Sequence, residues 1–127
     1  SLILEAEGYV VDAVETGKEA VEKANANYYN LALLDYRLPD MEGTMLLSVF
    51  KETTPKMVKI MVTGYPSMSN AIDSVNRKAD AFLVKPVDPA ALIQTVKNEL
   101  KKQEEAQAYS EAKVAEYIET RIKQLEQ

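Results

Sequence analysis

Short apolar runs alternate with amphipathic stretches along most of the chain, and this alternation predicts a series of strand–helix units. A short continuous apolar run is typical of a strand covered on both faces, whereas apolar residues three and four positions apart indicate one face of a helix. The predicted strands cover residues 9–14, 31–34, 58–62 and 81–84.

Two of the predicted helices begin with recognisable capping residues. Thr16 followed by Glu19 has the spacing of a capping box, and Asp88 followed by Pro89 supplies an N-cap acceptor and a residue suited to the first turn. The predicted helices cover residues 2–7, 17–25, 42–52, 67–77 and 88 onward. Because each strand is followed by a helix, we predict an α/β fold with a doubly wound parallel sheet.

The C-terminal residues follow a different pattern. Residues 104–127 contain no Gly or Pro, and their apolar residues recur at the a and d spacing of a coiled coil over about three heptads, interrupted at Glu111. We therefore predict a globular domain at residues 1–102 and a helical extension at residues 103–127. The extension is interpreted as a coiled-coil linker or dimerisation helix. The alternatives are a helix that packs on its own domain and a frayed tail.

Composition narrows the possible chemistry. The chain has no Cys and no His, so carboxylates, hydroxyls and lysines remain as reactive groups, with a hard cation held by oxygen atoms. The net charge of -5 argues against direct binding to nucleic acid, which relies on clustered Lys and Arg. No apolar run approaches the roughly 20 residues of a membrane span, so we expect a cytoplasmic protein without membrane attachment.

Three polar residues follow predicted strands. Ligands of open parallel sheets bind at the carboxyl ends of the strands, where Asp35, Thr63 and Lys85 are predicted to meet. A carboxylate can act as a nucleophile and hold a phosphoryl group, and catalysis of that transfer is mostly positioning and electrostatics. An aspartate after a strand is by itself more often a cap or turn residue. Its combination with a hydroxyl and an ammonium group indicates phosphoryl transfer onto Asp35.

Three motifs resemble the receiver domains of two-component response regulators, which are CheY-like proteins. They are LLDYRLPDMEG at residues 33–43, MVTGY at residues 61–65 and DAFLVKP at residues 80–86. The resemblance covers about residues 1–102 and implies a flavodoxin-like receiver fold. It also implies that Asp35 is the phospho-acceptor, phosphorylated by a partner sensor histidine kinase. Thr63 and Lys85 would bind the phosphoryl oxygens.

The resemblance assigns further roles to residues around the acceptor. Mg²⁺ would bind to Asp35 and to the backbone carbonyl of Arg37. Phe82 corresponds to a switch aromatic that moves together with Thr63. The Lys85–Pro86 peptide bond is expected to be cis, and Arg37 and Tyr65 occupy positions that tune the lifetime of the phosphoryl group.

The amino-terminal end departs from the family pattern. Receivers begin with a buried strand that ends in an acidic pair, whereas this sequence starts within the helix that follows. Because that pair holds the cation, we expect Mg²⁺ binding and phosphoryl uptake to be impaired. Loss of about four buried apolar side chains removes about 6 to 12 kcal/mol, close to the stability of a whole domain. We therefore expect a longer natural protein, and a homodimer or an oligomer that exchanges elements between copies.

These observations predict a phosphoryl-accepting signalling switch of a two-component phosphorelay. It would relay its state through a face built from residues 67–77, 81–84 and the helix after residue 88. Beyond slow self-phosphorylation and self-dephosphorylation we expect no enzymatic activity. One alternative is a phosphorylation-independent, receiver-like dimerisation scaffold. A more remote one is an aspartate-nucleophile phosphohydrolase of the haloacid-dehalogenase type, which carries a second Asp where this chain has Arg37.

Overall fold

The computed structural model describes residues 2–53, 55–64 and 79–126, with residues 110–126 described as backbone only. Its helices are α1 (Leu2–Ala6), α2 (Gly17–Ala26), α3 (Gly43–Val49) and α4 (Pro89–Glu126). Its strands are β1 (Leu31–Asp35), β2 (Val58–Thr63) and β3 (Ala81–Val84). The helix predicted at residues 67–77 lies outside the described residues.

The three strands of the described chain form one parallel sheet in the order β1-β2-β3. Leu34 lies opposite Met61 in the first pair of strands, and Thr63 lies opposite Val84 in the second. The central strand β2 is the most buried of the three, as its almost uninterrupted apolar sequence predicts. The predicted parallel α/β sheet is confirmed.

Helices cover both faces of the sheet because alternate residues of each strand point to opposite sides. On one face α2 and α3 enclose the first core, which comprises Leu34, Leu46, Leu47, Phe50, Met57 and Met61. On the other face lies the second core, in which Leu4 of α1 and Val96 of α4 pack against Val58 and Ile60 of β2. The sheet is therefore wound on both sides, as predicted.

The strand predicted at residues 9–14 is not formed. This segment pairs with no strand of the described chain, since β1 is hydrogen-bonded only to β2, and an extended segment without a ladder is not a strand. Side chains hold the segment instead: Tyr9 and Val11 pack on the second core, and Tyr29 donates its hydroxyl to Asp12 Oδ2 at 2.6 Å. The apolar pattern of residues 9–14 therefore reflects packing of alternate side chains without backbone pairing.

The third predicted helix is shorter than its apolar pattern suggests. It ends at Val49, and Phe50 has non-helical backbone dihedral angles (φ -59°, ψ 132°) although its side chain is buried. Phe50 therefore continues the core contact of α3 without continuing the helix, and Lys51 and Glu52 are exposed.

One glutamine joins the last helix to the sheet. Gln103 Nε2 donates to the carbonyl oxygens of Asn30 at 2.9 Å and Lys56 at 2.7 Å, and Gln103 Oε1 accepts from Asn30 Nδ2 at 3.1 Å. Asn30 precedes β1 and Lys56 precedes β2, so these bonds hold α4 at the amino ends of both strands. The helix then runs unbroken to Glu126, which confirms a long C-terminal helix. The division at residue 102 stays a prediction.

Candidate functional site

The three polar residues predicted to meet at the carboxyl edge of the sheet do so. Asp35 ends β1, Thr63 ends β2 and Lys85 follows β3. Together with Arg37 and Gly64 they line one open cavity of about 440 Å³. The backbone continues the ladder into the site, since the Lys85 N–H donates to the Thr63 carbonyl at 2.7 Å. Strand pairing therefore fixes how far apart these residues lie.

The carboxylate of Asp35 has a neighbour on each oxygen. Lys85 Nζ lies 2.6 Å from Asp35 Oδ2, and the Arg37 N–H donates to Asp35 Oδ1 at 3.2 Å. The side chains of Lys85 and Asp35 are 46% and 42% exposed, and an ion pair this open contributes only about 0–1 kcal/mol to stability. The pair therefore places a positive charge beside an accessible carboxylate and contributes little to folding.

Thr63 differs from these two residues because it is fully buried, with 0% of its surface exposed. It is the last residue of the central strand β2. Its backbone is fixed by the pairing of β2 with β3. A hydroxyl in this place is held close to the carboxylate edge by the rigid part of the fold.

The loop after Asp35 depends on a close approach that only glycine permits. A Cβ atom on Gly43 would lie well under 3.0 Å from the backbone oxygen of Asp35. The Gly43 N–H also donates to the Tyr36 carbonyl at 2.6 Å, which brings the start of α3 back to the end of β1. Sequence analysis gave Gly43 no role. Its only signal in the sequence is its place as the last residue of the motif at residues 33–43.

Asp40 makes a contact with a distant segment that the sequence did not reveal. Its carboxylate accepts hydrogen bonds from the backbone N–H groups of Gly17 and Lys18, the first residues of α2. These two amides hold the pKa of Asp40 below its ordinary value because they favour the charged form. No local pattern marks this contact, since it joins residues more than twenty positions apart in the chain.

The remaining predicted site residues are placed as follows. Phe82 is half-buried on the β3 position opposite Met61 and packs against the first core. The Lys85–Pro86 peptide bond is cis. Tyr65 lies outside the described residues.

The part of the chain that the structure describes holds no cluster of three or more His, Cys, Asp or Glu side chains able to bind a metal ion.

Comparison with known proteins identifies the family. Residues 1–97 match the sequence model described as "Response regulator receiver domain". The chain belongs to this family. Among its relatives are the luminescence regulatory protein LuxO of Vibrio campbellii, 35% identical over 95 residues, and the transcriptional regulatory protein GlrR of Escherichia coli K12, 32% identical over 99 residues. These matches cover 75% and 78% of this chain but only 21% and 22% of the relatives, so the chain spans about a fifth of their length.

Solved structures agree with this assignment. A CheY-like response regulator receiver domain from Methanospirillum hungatei JF-1 superposes with a TM-score of 0.77 at 46% identity, covering 83% of this chain and 84% of that one. The beryllofluoride-activated NtrC4 receiver domain dimer gives a TM-score of 0.75 at 32% identity, covering 81% and 85%. The predicted family and fold are therefore confirmed. Receiver domains of response regulators are generally signalling switches and not enzymes.

The helices were also compared with the requirements of a membrane span. None of those in the described part of the chain is both long enough and apolar enough to cross a bilayer.

Proposed function

We propose that this domain is a phosphoryl-accepting signalling switch of a two-component phosphorelay, with Asp35 as the acceptor and a sensor histidine kinase as the donor. The observation that carries the proposal is the 2.6 Å contact of the Lys85 ammonium with an accessible Asp35 carboxylate, beside the buried Thr63. Membership of the receiver family supports it.

In the proposed reaction a carboxylate oxygen of Asp35 attacks the phosphorus of a phosphohistidine. The P–N bond breaks, the histidine nitrogen keeps the electron pair and takes up a proton, and Asp35 becomes an acyl phosphate. Lys85 would pair with one phosphoryl oxygen and Thr63 would donate its hydroxyl to another. Both groups act by position and charge, which is the main source of catalysis in phosphoryl transfer.

A magnesium ion fits the donor set only with most of its waters retained. Asp35 is the carboxylate lining the cavity, and we assign the Arg37 backbone carbonyl as a second oxygen ligand. Mg²⁺ is often held by one or two carboxylates while it keeps several waters. When bound, it supplies positive charge that offsets repulsion between the carboxylate and the incoming phosphoryl group. The impaired binding expected from the sequence stays a prediction.

We further propose how the phosphorylated state is relayed. Movement of the Thr63 hydroxyl toward the phosphoryl group would leave space that Phe82 fills by turning inward, which shifts a two-state equilibrium. The relay face would comprise residues 67–77, β3 and the first part of α4. Arg37 lines the cavity and is proposed, with Tyr65, to tune the lifetime of the phosphoryl group.

Beryllofluoride with Mg²⁺ tests the switch without a kinase. We expect the amide resonances of Thr63 and Phe82 to shift in the ¹H–¹⁵N spectrum when both reagents are added, and not when Mg²⁺ is omitted. A second form of the protein, with an apolar strand ending in an acidic pair added before Ser1, should respond at lower Mg²⁺ concentration. If neither form responds, the phosphorylation-independent dimerisation scaffold becomes the better description.

A homodimer is the second part of the proposal. The observation that favours it is the length of α4, which continues past Gln103, its anchor on the sheet, as far as Glu126. The apolar residues of this extension have coiled-coil spacing. Gel filtration with light scattering should therefore give a dimer or a larger species. A form ending at Gln107, which keeps the Gln103 anchor, should shift toward the monomer. A clean monomer with a cooperative melt for the full chain would contradict the prediction.

A further inference from the structure

The loop between β1 and α3 is attached to the beginning of α2 by one carboxylate. Asp40 Oδ1 accepts from the Gly17 N–H at 2.9 Å, and Asp40 Oδ2 accepts from the Lys18 N–H at 3.0 Å. The first N–H groups of a helix have no partner within the helix, and a negative charge next to them is favourable. Asp40 therefore satisfies two amides of a helix that lies more than twenty residues earlier in the chain.

An apolar contact reinforces this attachment. The side chain of Met41, next to Asp40, packs so closely on the α2 start that a Cβ atom at Gly17 would lie 2.7 Å from Met41 Cγ. Met41 also packs against the first core. Asp40 and Met41 therefore hold the loop on the first turn of α2 through one polar and one apolar contact.

At its amino-terminal end, the same loop is hydrogen-bonded to the acceptor residue Asp35. The Leu38 N–H donates to the Met41 carbonyl at 3.1 Å, and Arg37 forms an antiparallel bridge with Glu42. The Arg37 N–H in turn donates to Asp35 Oδ1. The loop backbone and these hydrogen bonds together connect Asp40 to the Asp35 carboxylate.

We propose that Asp40 is a positioning residue for phosphoryl transfer. By holding the loop on α2, it fixes the Arg37 backbone relative to the carboxylate of Asp35. This inference rests on the proposed function of Asp35. The competing explanation is that Asp40 only caps α2, with no effect on the acceptor loop.

Thr16 offers a matched control at the same helix end. Its hydroxyl accepts from the Glu19 N–H at 3.1 Å, so Thr16→Ala removes one cap of α2 and leaves the acceptor loop untouched. Asp40→Ala removes caps from the same terminus and also detaches the loop. Asp40→Asn keeps one acceptor oxygen and the shape of the side chain, so it serves as a milder variant if Asp40→Ala folds poorly.

Amide hydrogen exchange of the full chain separates the two explanations. In Asp40→Ala we expect exchange at Leu38 and Gly43 to accelerate by about fivefold or more, the factor that corresponds to loss of a typical cap. Asp40→Asn should give a smaller acceleration at the same two amides. In Thr16→Ala the same amides should stay within about twofold of wild type while exchange at Glu19 accelerates. Equal behaviour of Leu38 and Gly43 in Thr16→Ala and Asp40→Ala would overturn the proposal.

The initial rate of phosphorylation from phosphoramidate and Mg²⁺ gives a second readout. Asp40→Ala should react several-fold more slowly than Thr16→Ala, and Asp40→Asn should recover part of the rate. Equal rates in Asp40→Ala and Thr16→Ala would show that Asp40 is a helix cap only. If neither the wild-type chain nor the form with the added acidic strand takes up a phosphoryl group, the proposed function fails, whereas the exchange comparison still decides whether Asp40 positions the loop.

Discussion

Replacing Asp35 with asparagine is expected to abolish phosphoryl uptake, with a loss of at least about a thousandfold in rate, as for removal of other enzymatic nucleophiles. Asparagine keeps the shape of the side chain and can still accept the hydrogen bond from the Arg37 N–H. It lacks the anionic oxygen that attacks phosphorus. The effect is therefore expected on chemistry and not on the geometry of the loop.

Stability should change little in the same variant. The ion pair with Lys85 is lost, but both partners are nearly half exposed, and such pairs contribute only about 0–1 kcal/mol. A thermal melt close to that of wild type, together with complete loss of labelling, would assign the defect to the nucleophile. A melt lowered by many degrees would instead give Asp35 a structural role.

The measurement is mass spectrometry of the intact chain after incubation with phosphoramidate and Mg²⁺, followed by hydroxylamine, which cleaves acyl phosphates. Asp12→Asn is the matched control, because Asp12 is an aspartate away from the acceptor cavity that accepts a hydrogen bond from Tyr29. It should be labelled at the wild-type rate. Labelling that persists in Asp35→Asn would place the acceptor elsewhere in the chain.

The acceptor edge could be predicted from the sequence because strand periodicity determines it. Asp35, Thr63 and Lys85 each follow an apolar run, and parallel strands bring the residues after such runs to one edge. The register of β2 and β3 then places Lys85 next to Thr63, because Thr63 pairs with Val84, the residue before Lys85. Information local to each strand was therefore sufficient to group these residues.

Contacts between distant segments could not be predicted in this way. Asp40 is attached to α2, and Gln103 is anchored on Asn30 and Lys56. Both contacts depend on how helices and strands pack against each other in the folded domain. No spacing in the sequence marks either of them. The strand predicted at residues 9–14 is wrong for a related reason, because a short apolar run indicates a strand whereas a strand also requires a paired neighbour. Periodicity thus reports which side chains are buried, but not which backbone they pair with.

Replacing Gly43 with alanine is expected to destabilise the domain by about 3 kcal/mol or more, at the upper end of the range for overpacked sites. Glycine to alanine in a helix usually stabilises by up to about 1 kcal/mol, and Gly43 is the first residue of α3. Here the added Cβ would meet the backbone oxygen of Asp35, which cannot turn aside as a flexible side chain could. Either α3 or the end of β1 must shift, and the shift displaces the acceptor.

Gly64→Ala is the matched control for stability. Among the residues that the structure describes, a Cβ at Gly64 meets only Lys85 side-chain atoms at 3.8 Å, an ordinary contact. The unfolding free energy of Gly64→Ala should therefore stay within about 1 kcal/mol of wild type. Urea unfolding of the two variants and the wild type measures the difference. The Gly43 clash is with the backbone of the acceptor residue. Phosphoramidate should therefore phosphorylate Gly43→Ala more slowly than expected from the fraction of molecules that remains folded. A Gly43→Ala protein as stable as wild type would show that the loop can move away from Asp35 at little cost, and would weaken the case that this loop holds the acceptor in place.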